Sequence, residues 1–134
     1  MNTSIYFDFT PPVITEPSVL TVVSPIRLDE RAWLGGAFDE QSELMHDSLR
    51  TLGLLPLLEP YSALGYDHSG DGGGENISPA LLNTTGPTAI VDWVLLELRS
   101  TTTPSIVLHS RAALLRRDGR ITDTLHPEKR RYRA

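Results

Sequence analysis

The longest apolar run of the chain, residues 89–99, constrains the fold more than any other feature. It reads A-I-V-D-W-V-L-L-E-L-R, and apolar side chains occupy both alternating faces until Glu97 and Arg99 make one face polar. Because successive side chains of a strand point to opposite faces, the pattern predicts a strand buried on both sides at its start and on one side at its end. Such a strand is expected in the middle of a sheet.

Further strands are predicted elsewhere in the chain. Residues 19–23 are rich in β-branched side chains, residues 26–34 alternate between apolar and polar, and residues 105–117 are strand-like. The dipeptide Asp118-Gly119 lies between alternating segments and predicts a tight hairpin, because the primed turns that suit hairpins need positive φ.

Helical periodicity is confined to one segment. The apolar spacing over residues 42–51 predicts a short helix, and Gly53 suits its C-terminal cap. No alternation of strands with long helices is present. The sequence therefore predicts an all-β fold, an immunoglobulin-like antiparallel β-sandwich with one short helix and a long glycine-rich loop.

Composition divides the chain into three parts. We expect a proline-rich N-terminal arm or linker over residues 1–18, the β-sandwich domain over residues 19–125 and a basic tail over residues 126–134. Residues 1–115 hold 14 acidic and 5 basic side chains, a net charge of about −9. An acidic body of this kind argues against a nucleic-acid partner.

Three absences exclude other classes of protein and site. The 134 residues include no cysteine, which excludes disulfides and zinc–thiolate sites. No apolar run approaches the length of a membrane-spanning helix, so no membrane insertion is expected. The first residues lack the basic and apolar regions of a signal peptide, so no intact signal peptide is expected in this chain.

The irregular segment 62–88 contains the best candidate site. Asp67, Asp71 and Glu75 recur every fourth residue among glycines. Carboxylate and backbone oxygens on a flexible loop suit Ca²⁺, although the spacing is not that of an EF-hand. The sequence predicts a calcium site at these three residues, with a solvated loop whose glycines serve turns as the alternative. No other cofactor is expected.

Isolated polar residues have structural alternatives to a functional role. His46 and His68 are candidate metal ligands, or else surface and capping histidines. Asp92 lies within the most apolar strand, where a carboxylate needs partners or a shifted pKa. It marks a site, or it accepts hydrogen bonds from a neighbouring loop or from an arginine such as Arg111.

Three aromatic residues are candidates for a sugar-binding platform. Trp33, Tyr61 and Tyr66 would offer flat apolar rings to a carbohydrate. The alternative is packing at the core or the rim of the sheet, where aromatic residues are common.

Three long motifs carry a family resemblance. They are L-M-H-D-S-L-R-T-L-G-L-L-P-L-L-E-P-Y-S-A-L-G-Y, G-G-G-E-N-I-S-P-A-L-L-N-T-T-G-P-T-A-I-V-D-W-V-L-L-E-L-R and S-R-A-A-L-L-R-R-D-G-R-I-T-D. Over residues 26–124 the chain resembles a β-domain that recurs in the C-terminal region of large secreted and cell-surface proteins of Bacteroidota. Those proteins are described as adhesin-like or hemagglutinin-like, or are associated with type IX secretion. The resemblance implies an extracellular or cell-surface location and assigns no catalytic residue.

The resemblance breaks down at the C-terminus. Members of the family continue after the D-G hairpin with another pair of strands, whereas this chain ends in L-H-P-E-K-R-R-Y-R-A. A sheet without its last strands has an open edge, and an open edge pairs readily with another strand. We therefore expect assembly or strand addition, including a possible homo-oligomer.

The functional hypothesis that follows is a non-catalytic accessory or interaction module, of adhesion type, in a secreted or cell-surface protein. Its expected partners are other domains or subunits of that protein, or a carbohydrate. A structural subunit of a repetitive assembly that exchanges strands is the alternative. A hydrolase with its catalytic groups in the 62–88 loop and near Asp92 is the third hypothesis, and no nucleophile motif supports it.

Overall fold

The computed structural model describes residues 5–7, 26–70 and 72–124. A two-stranded sheet pairs β1 (Ile5–Phe7) with β2 (Ile26–Leu28), and a second pairs β3 (Phe38–Asp39) with β4 (Leu44–Met45). The largest sheet has the order β5-β6-β7, from Ile90–Arg99, Val107–Arg116 and Ile121–Thr122. All these pairings are antiparallel.

Helical structure is limited in the described part of the chain. One α-helix, α1 (Ser48–Thr51), and two 3-10 helices, Pro79–Asn83 and Gly86–Thr88, connect the strands. The all-β prediction is therefore confirmed. The predicted strands at 89–99 and 105–117 correspond to β5 and β6.

The two faces of the largest sheet are both buried, as the apolar pattern of residues 89–99 predicts. On β6, Ala113 and Leu115 belong to one apolar cluster, while Ala112 and Leu114 belong to another. Because side chains alternate along a strand, these clusters lie on opposite faces. Trp93 of β5 pairs with Leu114 and joins the second cluster.

Short strands and irregular segments complete the two clusters. Met45 of β4 and Ile121 of β7 complete the first cluster, and Leu55 and Ile77, which lie outside the strands, complete the second. Of the described residues in these clusters, only Met45 belongs to a strand of another sheet, the two-residue β4. The sandwich and immunoglobulin-like parts of the prediction are therefore not confirmed.

The predicted hairpin at Asp118-Gly119 is confirmed, but its turn is of another type. Gly119 has φ of 80°, whereas Asp118 does not have positive φ. The N–H of Gly119 donates to Arg116 O, and the N–H of Arg116 donates to Arg120 O, both at 2.9 Å. This is a three-residue connection in which one glycine has the left-handed conformation.

Two element boundaries were predicted wrongly. The strand predicted at 26–34 ends at Leu28, and the chain then approaches the hairpin through a bridge between Arg31 and Arg120. The helix predicted at 42–51 is only α1, because Met45 enters the core as part of β4 and its N–H donates to Arg117 O. Tertiary pairing replaced the local helical preference.

The cap predicted at Gly53 is confirmed. Its φ is 70°, its N–H donates to Arg50 O, and the N–H of Leu54 donates to Leu49 O. These bonds form a Schellman motif, which ends α1. The strand predicted at 19–23 and the tail at 126–134 lie outside the described residues. No described helix is long and apolar enough to cross a membrane.

Candidate functional site

A buried carboxylate, Glu59, organises the irregular half of the domain. Its side chain accepts hydrogen bonds from the N–H groups of Tyr61 at 2.7 Å, Ser62 at 3.1 Å and Gly74 at 3.2 Å, and from the Ser62 hydroxyl. Only 1% of the residue is exposed. A buried carboxylate is tolerated when its oxygens are satisfied in this way.

The pKa of Glu59 reflects two opposing effects. Burial would raise the pKa of the carboxyl group, since the charged form loses water. The hydrogen bonds from the Ser62 hydroxyl and from three backbone N–H groups favour the charged form and lower the pKa to about 2. Glu59 is therefore ionised at neutral pH.

His68 lies between Glu59 and β6. Its Nε2 is 3.8 Å from Glu59 Oε2, and its Nδ1 is 3.1 Å from Ser110 Oγ. The same hydroxyl oxygen accepts the N–H of Ser69 at 2.9 Å. Nε2 is buried and has no hydrogen-bond partner among the described residues. The tautomer with hydrogen on Nε2 directs that hydrogen towards Glu59 and leaves Nδ1 to accept from Ser110.

This chain of hydroxyl, imidazole and carboxylate resembles a hydrolase triad only in composition. In such triads Nε2 faces the serine and Nδ1 faces the carboxylate, whereas here the two nitrogens are exchanged. Ser110 is 4% exposed and His68 has a buried ring, so a substrate has no direct access to the hydroxyl. What the arrangement does is attach the glycine-rich loop to β6.

Close backbone contacts complete that attachment. A Cβ on Gly72 would lie 1.9 Å from Ser110 O, and a Cβ on Gly73 would lie 3.0 Å from the His68 ring. Ser110 N also donates to Ser69 O at 2.9 Å. The glycines at these positions allow the loop to approach the strand.

The structure places the three predicted calcium ligands differently. The Glu75 carboxylate is buried and accepts the N–H of Gly73 at 3.1 Å and 3.2 Å. Asp67 is exposed, and Asp71 lies outside the described residues. The described residues contain no group of three or more histidines and carboxylates that could hold a metal ion. Since Asp71 belongs to the proposed set, the calcium site stays a prediction.

Asp92 does not pair with Arg111 as predicted. Arg111 binds Asp123 at 3.0 Å, while Asp92 Oδ1 accepts the N–H of its neighbour Trp93 at 2.8 Å. Asp92 is partly buried. Burial raises the pKa of Tyr61, and the nearby negative charges of Asp92 and Glu59 raise it further.

A cleft of about 270 Å³ opens beside Asp92. Its walls come from the β2–β3 connection, from α1 with the residues just before it, and from the start of β5. The polar groups in the cleft are those of His46, Ser48 and Asp92, and its apolar lining includes Leu34 and Leu49. His46 is thus a cleft residue and His68 a buried one.

The three aromatic candidates have separate contacts. Trp33 packs edge-to-face against Phe38 with ring centroids 5.0 Å apart. The Tyr66 hydroxyl donates to Glu97 at 2.5 Å, and its ring packs against His68. Tyr61 packs on the second apolar cluster. The contacts give no sign of a common platform.

The feature that sequence reasoning missed is a group of exposed leucines on the segment before Glu59. We call it the leucine surface, and its members are the exposed residues Leu52, Leu54, Leu57 and Leu58. The signal was present in the run L-L-P-L-L, residues 54–58. Leu55 alone from this stretch enters the core, with 6% exposure.

No family model, no curated protein and no solved structure matches this chain.

Proposed function

We propose that this domain is a non-catalytic interaction module of adhesion type, in a secreted or cell-surface protein, that binds another protein domain through its leucine surface. The observation that carries the proposal is the exposure of Leu52 and Leu54, 69% and 63% respectively, with Leu57 and Leu58 beside them in sequence. Contiguous patches of exposed apolar side chains mark interaction sites on folded proteins, and the proposal takes these four leucines to form one patch.

The leucine surface is held in place rather than loosely attached. The indole N–H of Trp93 donates to Pro56 O at 2.9 Å. On the other side, Ile77 N donates to Leu57 O at 2.8 Å and Glu59 N donates to Glu75 O at 2.9 Å. A surface fixed before binding loses little conformational entropy when a partner docks.

The absence of catalysis in this proposal is supported by the buried Ser110 hydroxyl. The resemblance to secreted β-domains supports the extracellular location and the adhesion role. Strands from a neighbouring domain would complete the β-sandwich, immunoglobulin-like in architecture, that the sequence predicts.

Site-specific photo-crosslinking tests the proposal on cells that produce the protein. A photoreactive residue at position 54 or 58 is expected to capture a discrete partner, and one at the exposed position 40 is not. Leu52→Glu should abolish capture from position 58 without changing the melting temperature. Equal capture from positions 40 and 58, or capture that survives Leu52→Glu, would overturn the proposal. A bound glycan in place of a protein would redirect it to carbohydrate.

The second candidate function is a structural subunit that exchanges strands. The observation in its favour is that β5, a strand of 10 residues, pairs only with β6 among the described residues. A strand with one free edge accepts another strand. Light scattering should then show a mass that rises with protein concentration and falls to that of a monomer when residues 1–18 are removed. A concentration-independent monomer would exclude this candidate.

A further inference from the structure

The cleft beside Asp92 joins an unpaired charge to apolar walls. Among the described residues, Asp92 accepts one hydrogen bond, from the N–H of Trp93, and has no basic nitrogen within 4.0 Å. The other carboxylate oxygen of Asp92, Oδ2, therefore has no hydrogen-bond partner among the described residues. Leu34, Ala37 and Val91 line the same cleft with aliphatic groups.

We infer that this cleft binds the side chain of a lysine or arginine from the protein that docks on the domain. The inference rests on the proposed function and specifies the partner's chemistry. The aliphatic stem of such a side chain would contact Leu34 and Val91, while its cationic head would pair with Asp92. Long basic side chains commonly bury the stem and keep the head beside polar groups.

The size and charge of the surroundings favour this occupant. A cleft of about 270 Å³ is below the range of about 300–1,000 Å³ that holds whole drug-sized ligands. The formal net charge of −5 for the chain attracts a basic partner and disfavours an acidic one. Val91 and Asp92, near the start of β5, line the cleft.

The probe is an acetylated and amidated pentapeptide, Gly-Gly-Arg-Gly-Gly, compared with the same peptide in which citrulline replaces arginine. Citrulline keeps the shape and removes the charge. Titration followed by amide chemical shifts should move the signals of Ala37, His46 and Asp92 with the arginine peptide. We expect binding at least tenfold weaker with the citrulline peptide.

Two variants make the result specific to the cleft. Asp92→Asn retains an acceptor for the Trp93 N–H and should weaken arginine-peptide binding at least tenfold, whereas Glu40→Gln removes an exposed charge elsewhere and should not. Gly36→Val would narrow the cleft without altering Asp92, since a Cβ on Gly36 has nothing within 4 Å. It should also weaken binding, which keeps the test informative if Asp92→Asn folds poorly.

Several outcomes would overturn the inference. Equal binding of the arginine and citrulline peptides, or unchanged binding in Gly36→Val, would exclude the cleft as a cation site. Binding of n-butylamine as tightly as the peptide would assign the site to a free amine instead of a partner's side chain. The Leu52→Glu variant should bind the arginine peptide normally. The cross-linking test of the leucine surface can therefore fail without changing the result for the cleft.

Discussion

The carboxylate of Glu59 accepts the backbone N–H of Gly74 at 3.2 Å, which joins the segment that carries the leucine surface to the glycine-rich loop. The loop in turn is attached to β6 through the Ser69 and Ser110 contacts. Glu59 thus links its own segment to the loop, and the loop links both to β6. The presentation of the leucine surface depends on this link.

Replacing Glu59 by alanine should destabilise the domain strongly. The N–H groups of Tyr61, Ser62 and Gly74 would lose their charged acceptor, and a hydrogen bond to a charged group contributes about 1.5–3 kcal/mol. We expect a loss of roughly 3 kcal/mol or more in the free energy of unfolding, measured in urea. Glu40→Ala, at an exposed position, should stay within about 0.5 kcal/mol. A similar small effect at Glu59 would contradict the role assigned to its carboxylate.

The pH dependence of stability should carry the signature of Glu59. Its folded pKa of about 2 lies below the ordinary value of 4.5, so the folded state binds this proton less readily than the unfolded chain. The resulting stability is fully present above pH 4.5 or so and is lost as the pH falls towards 2. The shift corresponds to roughly 3 kcal/mol.

Urea denaturation between pH 7 and pH 2.5 measures this effect, with Glu59→Gln as the comparison. The glutamine variant should be less stable at pH 7 and should lose less stability on acidification. The pKa values of Asp47 and Glu97 are also lowered, and their contribution remains in both proteins. Parallel pH curves for the two proteins would show that Glu59 is not the titrating group.

The two long strands were predictable because each has a long apolar pattern, and such a pattern is enough to indicate a strand without knowledge of distant contacts. β5 and β6 both fall within the segments predicted as strands. The helix predicted at 42–51 failed since Met45 is drawn into the core by a contact with Arg117, far away in sequence. No window of local sequence contains that information.

The candidate site was predictable only in outline. The glycine-rich stretch was identified as important from composition, but Glu59 reads as an ordinary surface glutamate between leucine and proline. Its burial depends on donors from Ser62 and Gly74 that meet only in the folded chain. The Ser110 hydroxyl, on an apolar strand, likewise gave no signal of its contact with His68.

Adding a methyl group at Gly72 should disrupt the contact between loop and strand. A Cβ there would lie 1.9 Å from Ser110 O, so the backbone of the loop or that of β6 must move. We expect Gly72→Ala to cost about 2 kcal/mol or more and to speed hydrogen exchange at the Ser110 amide. Gly36→Ala is the control, because its Cβ meets nothing within 4 Å. Equal stabilities of the two variants would contradict the close approach.

Calcium binding by Asp67, Asp71 and Glu75 has a direct test. A site that binds only the folded state stabilises it, by about 2.7 kcal/mol when the ion is at 100 times its dissociation constant. We expect millimolar Ca²⁺ to raise the melting temperature of the protein, and Asp71→Asn to abolish this increase. Magnesium serves as the control for ionic strength. If calcium does not change the melting temperature, the calcium site is excluded, and the carboxylates of this loop serve only as hydrogen-bond acceptors.

Gly119 should be the least replaceable residue of the β6–β7 hairpin, for two separable reasons. Its φ of 80° strains any residue with a Cβ, at about 1–2 kcal/mol, and that Cβ would lie 2.8 Å from two atoms of the Trp33 indole. Gly119→Ala is therefore expected to lose more than the backbone cost alone. In the Trp33→Ala background the same substitution should lose only the backbone part. A double-mutant cycle in urea measures the difference, and a coupling energy near zero would show that the indole yields without cost.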